Sequence, residues 1–191
     1  MRHGAGGTRF AMRHGADIDT ARMKPPEIRP FRPAEWRQYR DLRLAALKDA
    51  PDAFGSTWAV NARLDDAAWR SRLQGLDPAR DFPIAATADG VLGGMAWARI
   101  EADRPETAQL FQMWVAPPLR GRGIARQILQ AAIAWSRYRG ARIMDLGVTL
   151  GDSPARRLYE SAGFTVNGEP EPLRDGSPLR IQPMTLILAD D

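Results

Sequence analysis

The chain has 191 residues, and its 44% hydrophobic and 26% charged content is typical of one globular domain. Cysteine is absent, which excludes a disulfide framework, a thiolate metal site and a cysteine nucleophile. Its two histidines, His3 and His14, precede the predicted domain. This excludes a Ser-His-Asp triad and a histidine-held catalytic metal within that domain.

The first 24 residues differ in composition from the rest of the chain. They are rich in Gly and Arg and poor in large apolar side chains, so we predict a disordered N-terminal extension over residues 1–24. This segment holds most of the net charge of +4, so residues 25–191 are close to neutral and offer nucleic acid little electrostatic attraction. Neither a membrane span nor the apolar core of a secretory signal is recognisable. We expect one cytoplasmic domain over residues 25–191, with no membrane or nucleic-acid partner. An arm at residues 1–24 that binds nucleic acid or membrane is the alternative.

The first half of this domain is predicted to combine two helices with a β-hairpin. The expected elements are a strand at 28–31, a helix from Pro33 to just before Pro51, a loop at 52–58, a helix from Asp65 to Gln74, and strands at 82–88 and 91–100. Asp89 and Gly90 between the two strands are typical of a two-residue hairpin turn.

The second half alternates strands and helices. The expected elements are a buried strand at 110–115, a helix at 123–138, a strand at 142–149, a helix at 153–162, and strands at 164–167 and 179–188 joined by a loop at 168–178. This order predicts an α/β, or mixed α+β, domain.

The most informative segment runs from Met113 to Ala125. A buried strand ends there, a short loop carries Gly121 and Gly123, and an amphipathic helix begins. Amides at a helix N-terminus attract anions, glycine lets a phosphate approach the main chain, and flanking arginines add charge-assisted bonds. The segment predicts a phosphate or pyrophosphate site, with an ordinary helix-entry turn as the alternative. It lacks the third glycine of the dinucleotide fingerprint and the Gly-Lys-Ser/Thr of the P-loop.

A second informative segment runs from Asp152 to Phe164, directly after a predicted strand. Tyr159 lies on the apolar face of the short helix predicted there. Its ring can be buried while the hydroxyl reaches the edge of a cleft, although simple core packing also explains a tyrosine at this position.

Together the two segments resemble the GCN5-related N-acetyltransferase superfamily. The family pattern Arg/Gln-x-x-Gly-x-Gly/Ala is matched by Arg120-x-x-Gly123-x-Ala125, and the later Asn-x-x-Ala-x-x-Leu-Tyr-x-x-x-Gly-Phe pattern by residues 152–164. Residues 42–56 also look like many bacterial members. The resemblance covers residues 27–189. It implies a central mixed, mostly antiparallel sheet with splayed parallel central strands and flanking helices.

The resemblance also implies a function and a set of site residues. The implied activity is transfer of the acetyl group of acetyl-CoA directly to an amine, with no metal and no covalent enzyme intermediate. Tyr159 is the implied catalytic residue, as proton donor or hydrogen-bond donor to the departing CoA thiolate. The implied acetyl-CoA-binding residues are Met113, Trp114, Val115, Arg120, Gly121, Arg122, Gly123, Ile124, Ala125, Arg126, Asp152 and Tyr159. A homodimer is a further expectation, because many relatives dimerise.

Two departures from the family pattern leave roles open. Asp152 replaces the usual Asn, and a carboxylate suits an anionic cofactor less well than an amide, so capping of the short helix and contact with the amine are the alternatives to its role in cofactor binding. Where some members place a basic glutamate on the bulged strand, this chain has Gln109 and Gln112, which do not accept a proton. The remaining candidates for the general base, each also interpretable as a surface carboxylate, are Glu101, Asp103, Glu106 and Asp145, with a water relay as a further alternative.

The sequence contains few motifs that indicate the acceptor. Residues expected on its side of the domain are Phe54, Trp58, Trp69, Glu169 and Glu171, and the two glutamates suit a cationic amine. Trp97 and Trp114 either line the cleft or belong to the core. The alternatives to an acetyltransferase are a non-catalytic acyl-CoA-binding or sensor module, and a transferase with another acyl-CoA or with an O- or S-acceptor. A nucleic-acid-binding protein is a more distant alternative.

Overall fold

The computed structural model describes residues 25–188; the extension predicted over residues 1–24 lies outside them. The strands are β1 (Glu27–Pro30), β2 (Asp81–Ala88), β3 (Val91–Ile100), β4 (Thr107–Val115), β5 (Ile143–Thr149), β6 (Thr165–Val166), β7 (Glu171–Pro172) and β8 (Arg180–Ile187). The α-helices are α1 (Trp36–Asp49), α2 (Trp58–Asn61), α3 (Asp66–Ser71), α4 (Ile124–Tyr138) and α5 (Pro154–Ser161). No helix within residues 25–188 combines the length and apolarity needed to cross a bilayer.

All eight strands belong to one mixed sheet. The strand order is β1-β2-β3-β4-β5-β8-β6, and β7 pairs with β8 as well. Every pairing is antiparallel except that of β4 with β5, which is parallel. The predicted mixed, mostly antiparallel sheet with two parallel central strands is therefore confirmed.

Each face of the sheet carries its own hydrophobic core. On one side, called here the α4 face, α4 and α5 pack on the strands through residues such as Ile128 and Tyr159. On the other side, the α1 face, α1 and α3 cover β2, β3 and β4 through residues such as Tyr39 and Trp69. The two layers of helices therefore leave β4, in the middle of the sheet, in contact with both cores.

Local signals explain most element boundaries. Asp89 and Gly90 both have positive φ, +51° and +78°, as a type I′ hairpin turn requires. Asp65 accepts a hydrogen bond from the Ala68 amide at 2.8 Å and caps α3. Gly140, with φ of +84°, follows the end of α4 as predicted.

The element predictions were wrong in a few places, mostly where pairing is non-local. The loop predicted at 52–58 includes Trp58, which starts the short helix α2, and the loop predicted at 168–178 contains β7. β4 begins at Thr107, three residues before the predicted strand, because its first residues pair with β5. Such pairing depends on distant residues, which a local pattern does not reveal.

Candidate functional site

The carboxyl ends of β4 and β5 separate into an open V. The two strands pair only from Thr107 opposite Ile143 to Gln109 opposite Asp145. Beyond that point β4 continues to Val115 with no strand partner on this side, although its other side stays paired with β3. This opening is the splayed pair of parallel strands that the resemblance implies.

A β-bulge lies in the half of β4 that borders the opening. Met95 of β3 is opposite Trp114, but Trp97 is opposite Phe111, so β4 contains one extra residue between these pairs. Gln112 within the bulge has a φ of +58°, a left-handed conformation that is uncommon for a residue other than glycine. Bulges leave backbone groups unpaired and often occur beside active sites.

The bulge presents adjacent side chains to opposite faces of the sheet. On the α1 face, the Tyr39 hydroxyl donates a 2.8 Å hydrogen bond to Gln112 Oε1. On the α4 face, Met113 packs against the core that contains Tyr159. The middle of β4 is therefore the point at which groups from both layers of helices approach one another.

Tyr159 reaches this point from α5. Ser153 caps that helix by accepting a hydrogen bond from the Arg156 amide at 3.1 Å. The Tyr159 ring packs edge-to-face on Phe164, with 5.8 Å between centroids, and only 8% of the residue is exposed. Its hydroxyl lies 3.6 Å from the Met113 sulfur. Burial raises the pKa of this hydroxyl to about 12, so it is neutral and able to donate at physiological pH.

The glycine loop presents unpaired donors beside the opening. Gly121 and Gly123 both have a φ of +74°, and a Cβ placed on either would meet no atom within 4 Å. The backbone N–H groups of residues 121–126 have no acceptor among residues 25–188. They lie at the amino end of α4, a 15-residue helix whose dipole favours an anion there.

The arginines of this loop are already engaged with neighbouring elements. Arg120 Nε donates to the Val115 carbonyl at 2.9 Å, and the same guanidinium pairs with Asp49 at the end of α1. Arg122 pairs with Asp89 in the β2–β3 turn at 2.6 Å. In this conformation both side chains orient the loop, and their contact with a phosphate stays a prediction. Arg126 is exposed and has no ion-pair partner within residues 25–188.

Asp49 joins α1 to β4 and to the glycine loop. Its Oδ2 accepts a hydrogen bond from Trp114 Nε1 at 2.8 Å as well as from the Arg120 guanidinium. The Trp114 hydrogen bond, followed by that of Arg120, holds the pKa of Asp49 below its usual range. The Trp114 side chain therefore packs against α1, and a cofactor would contact only the Trp114 backbone.

Asp152 does not cap α5, because Ser153 does. The Asp152 side chain is 79% exposed and pairs with Arg157. Among the candidate bases, Glu101, Asp103 and Glu106 precede β4, at the opposite end of that strand from the bulge. These three positions are therefore remote from the opening.

The remaining candidate base, Asp145, lies on the α1 face where β4 and β5 begin to diverge. Its Oδ1 accepts a hydrogen bond from the Thr185 hydroxyl. Asp145 and Glu171 line an open cleft of about 240 Å³ over β5 and β8, together with Gln109 and Asn167.

The aromatic residues expected near the acceptor are mostly buried. Trp69, Trp97 and Phe54 belong to the core on the α1 face, whereas Trp58 is 45% exposed. Trp97 also donates through Nε1 to Asp81 at 2.9 Å, which fits the core interpretation.

Sequence reasoning missed a polar group within the same core. Arg43 is one helical turn beyond Tyr39 on α1 and is only 3% exposed. An arginine on the apolar face of an amphipathic helix was the available signal, since such positions normally hold hydrophobic residues. The structure places Arg43 on the α1 face together with Tyr39, whose hydroxyl touches the bulge.

Comparison with known proteins places this architecture in a family. The sequence profile of the acetyltransferase (GNAT) family matches residues 34–164, more than half of the chain. The chain therefore belongs to the acetyltransferase (GNAT) family.

Similar sequences include mycothiol acetyltransferases. The enzyme of Thermobispora bispora is 31% identical over 144 residues, which are 72% of this chain and 46% of that protein. The enzyme of Stackebrandtia nassauensis is 29% identical over 140 residues, 72% of this chain and 44% of that protein. The chain thus spans about half the length of the curated relatives it matches.

Solved structures share the fold. One is yncA, a putative acetyltransferase from Salmonella typhimurium determined with its cofactor acetyl-CoA. It has a TM-score of 0.72 and 21% identity, over 88% of this chain and 96% of that one. A GCN5-related N-acetyltransferase from Kribbella flavida has a TM-score of 0.69 and 23% identity, over 85% of this chain and 97% of that one.

Within residues 25–188, no group of three or more potential ligand side chains is arranged to hold a metal ion.

Proposed function

We propose that this chain is an acetyl-CoA-dependent N-acetyltransferase that transfers the acetyl group directly to a primary amine. The observation that carries the proposal is the set of unpaired backbone N–H groups at residues 121–126, at the amino end of α4 and beside the open V. A structural neighbour from Salmonella typhimurium was determined with acetyl-CoA, which supports the same choice of ligand.

The donor set of the loop suits a pyrophosphate. Several unpaired N–H groups lie at a helix N-terminus, and the space where a Cβ of Gly121 or Gly123 would lie is open. The half of β4 from Met113 to Val115, which has no strand partner on the side of the opening, suits the amide groups of a pantetheine arm. These residues would hold the two ends of the ligand and direct its thioester toward the bulge.

Acetyl-CoA would supply a thioester whose carbonyl carbon the amine nitrogen attacks; the N–C bond forms, the C–S bond breaks, and CoA leaves as the thiolate. Tyr159 is the residue placed to assist that departure, because its neutral hydroxyl is held at the bulge. Burial raises the pKa of this hydroxyl to about 12, above the value of about 8.5 for a simple thiol, which favours a hydrogen bond to the departing sulfur over complete proton transfer. Tyr159 therefore acts as a hydrogen-bond donor to the departing sulfur, and the thiolate takes its proton from solvent.

The attacking amine must lose a proton, since an alkylamine is largely protonated at pH 7. Asp145 is the candidate carboxylate nearest the bulge, but it is opposite Gln109, three residues or ~10 Å along β4 from Gln112. That separation favours a route through water over direct transfer. The proton would therefore leave through water, with either Asp145 or bulk solvent as its final acceptor.

A thermal-shift series with acetyl-CoA, CoA, NADH and ATP tests the ligand, and thiol release tests the reaction. A ligand at about 100 times its Kd stabilises a protein by ~2.7 kcal/mol, or roughly 5–10 °C for a chain of this size. Because the chain has no cysteine, a thiol reagent reports released CoA without background from the protein.

A shift with acetyl-CoA and CoA alone, followed by thiol release with an amine, is the expected result. Binding without release from a broad set of amines would instead indicate a non-catalytic acyl-CoA-binding module. A larger shift with another acyl-CoA than with acetyl-CoA would indicate that this other acyl-CoA is the acyl donor. A shift with NADH or ATP alone would contradict the proposal.

A further inference from the structure

The guanidinium of Arg43 is buried without a counter-charge. Its Nη2 donates to the Ser56 hydroxyl at 2.8 Å, but its Nε and Nη1 are inaccessible to solvent and have no hydrogen-bond partner within residues 25–188. The Phe54 ring covers the group, with 4.3 Å from Arg43 Cζ to the ring centroid. No carboxylate in the described part of the chain forms an ion pair with it. A buried cation in this state is costly unless something else balances it.

A second cation without an ion-pair partner approaches the same place. Arg72, directly after α3, is half-buried and forms no ion pair with another described residue. Its guanidinium lies 4.6 Å from the centroid of Trp69, whose ring packs edge-to-face on Tyr39. Both arginines act on the Tyr39 hydroxyl: burial raises its pKa, and the charges of Arg72 and Arg43 oppose part of that rise. Burial lowers the pKa of Arg43 to about 10, so the group remains charged at neutral pH.

These two cations lie on the α1 side of the β4 bulge. The Tyr39 hydroxyl that they flank donates to Gln112 Oε1 at 2.8 Å, and Gln112 is in the bulge itself. The unpaired amides and Tyr159 are on the opposite side, with α4 and α5. Positive charge without an anionic partner therefore lies on the α1 side of the bulge.

We propose that Arg43 and Arg72 bind a carboxylate of the acceptor, so that the acceptor is an amino acid and not a simple amine. This rests on the proposed acetyltransferase function. Guanidinium groups match carboxylates with paired hydrogen bonds, and two of them around one hydroxyl donor form a compact receptor for such a group. The half-exposed Arg72 meets the carboxylate first, and contact with Nε and Nη1 of Arg43 requires the Phe54 ring to turn aside.

The alternative role for both arginines is structural stacking on aromatic rings. Substitution of Arg43 by Met, which has a similar length without charge, separates the two roles. If Arg43 is part of a receptor, the unliganded Arg43→Met protein should melt at the same or a higher temperature than the parent, because an uncompensated buried charge is gone. If its role is structural, the melting temperature should fall.

Substrate preference gives the decisive test. Thiol release is measured with the standard L-amino acids and with their carboxamides, which keep the amine and lose the carboxylate. The parent protein should use at least one amino acid with kcat/KM at least tenfold above its carboxamide. Arg43→Met and Arg72→Met should each raise KM for that amino acid at least tenfold and leave KM for the carboxamide unchanged. Arg43→Lys should restore part of the preference for the amino acid.

Arg70→Met is the matched control, because Arg70 stacks on Trp36 at 5.0 Å, in the same helix layer.

A kcat/KM for the carboxamides equal to or above that for the amino acids would contradict the proposed carboxylate receptor. An unchanged preference for the amino acid in both Met variants would contradict it as well. The proposal would also be overturned if no amino acid reacted and none shifted the melting temperature of the protein in the presence of CoA. Binding of acetyl-CoA, measured on the same samples, shows separately whether the proposed acetyltransferase function survives.

Discussion

The Tyr159 hydroxyl lies 3.6 Å from the sulfur of Met113, so a residue of α5 touches the bulge of β4 across the α4 face of the sheet. The contact joins two segments 46 positions apart and places a neutral donor beside the open V. In a site that binds a thioester there, this hydroxyl is available to the departing sulfur.

Tyr159→Phe removes this donor and little else. A hydrogen bond to a charged group contributes about 1.5–3 kcal/mol, so kcat should fall by roughly 10–150-fold, while the KM for acetyl-CoA stays within about twofold. Steady-state kinetics measure both quantities. Tyr138→Phe is the control, because Tyr138 is 81% exposed on α4. An unchanged kcat in Tyr159→Phe would remove Tyr159 from the reaction.

Gly123→Asp should abolish binding of CoA and acetyl-CoA, because it places a carboxylate among the unpaired amides. Gly140→Asp is a matched control: it imposes similar left-handed strain, at φ of +84°, at the other end of α4, and also meets no atom within 4 Å. Calorimetric titration with CoA, alongside thermal melts, measures the two effects. The control should lose stability but keep its affinity for CoA. Normal binding by Gly123→Asp would show that the phosphate site lies elsewhere.

Asp49→Asn should loosen the link between α1 and the glycine loop. Because Arg120 would lose its ionic partner, the loop should be less well ordered and the KM for acetyl-CoA should rise several-fold, with a smaller change in kcat. Arg120→Lys keeps the charge but loses the planar fork, and it should show a weaker effect in the same direction. A change in kcat alone would contradict a positioning role.

The same carboxylate predicts a pH dependence of stability. The folded-state pKa of Asp49 lies below its unfolded value, so its contribution is present above the ordinary aspartate pKa of about 4 and is lost as pH falls through the folded value. Denaturant unfolding of the parent and of Asp49→Asn should therefore differ at pH 7 and converge in the acid range. A constant difference across that range would show that Asp49 stabilises through something other than its charge.

Asp145→Asn should change kcat/KM by no more than about threefold if the amine proton passes to bulk solvent and not to Asp145. The rate should then follow deprotonation of the amine, whose pKa is about 10, in both proteins. Rate profiles from pH 6 to 10 make the comparison. Loss of a rising limb in the variant alone would identify Asp145 as the general base.

Much of the fold could be predicted from the sequence, because the signals for its helices, strands and turns are local. The hairpin turn at Asp89 and Gly90, the glycine that follows α4 and the periodicity of α1 each reflect residues within a few positions of one another. β7 was not predicted, because Glu171 and Pro172 are a strand only through pairing with β8.

Only part of the candidate site could be predicted from the sequence, because only part of it depends on local signals. The glycine loop and Tyr159 carry motifs, and their chemistry follows from residue type and spacing. The positive φ of Gln112, the ties of Arg120 to Asp49 and of Arg122 to Asp89, and the exposure of Asp152 arise from contacts between distant segments.

The sequence by itself determined the order of the longer helices and strands, the family resemblance and the loop whose amides suit a phosphate. Only the tertiary structure decided which groups meet at the bulge of β4: Tyr159 from one face, and Tyr39, with Arg43 and Arg72 around it, from the other. The physical reason is that secondary structure depends on neighbours in the chain. Desolvation and charge balance depend on whichever residues the packing of two helix layers on one sheet brings together.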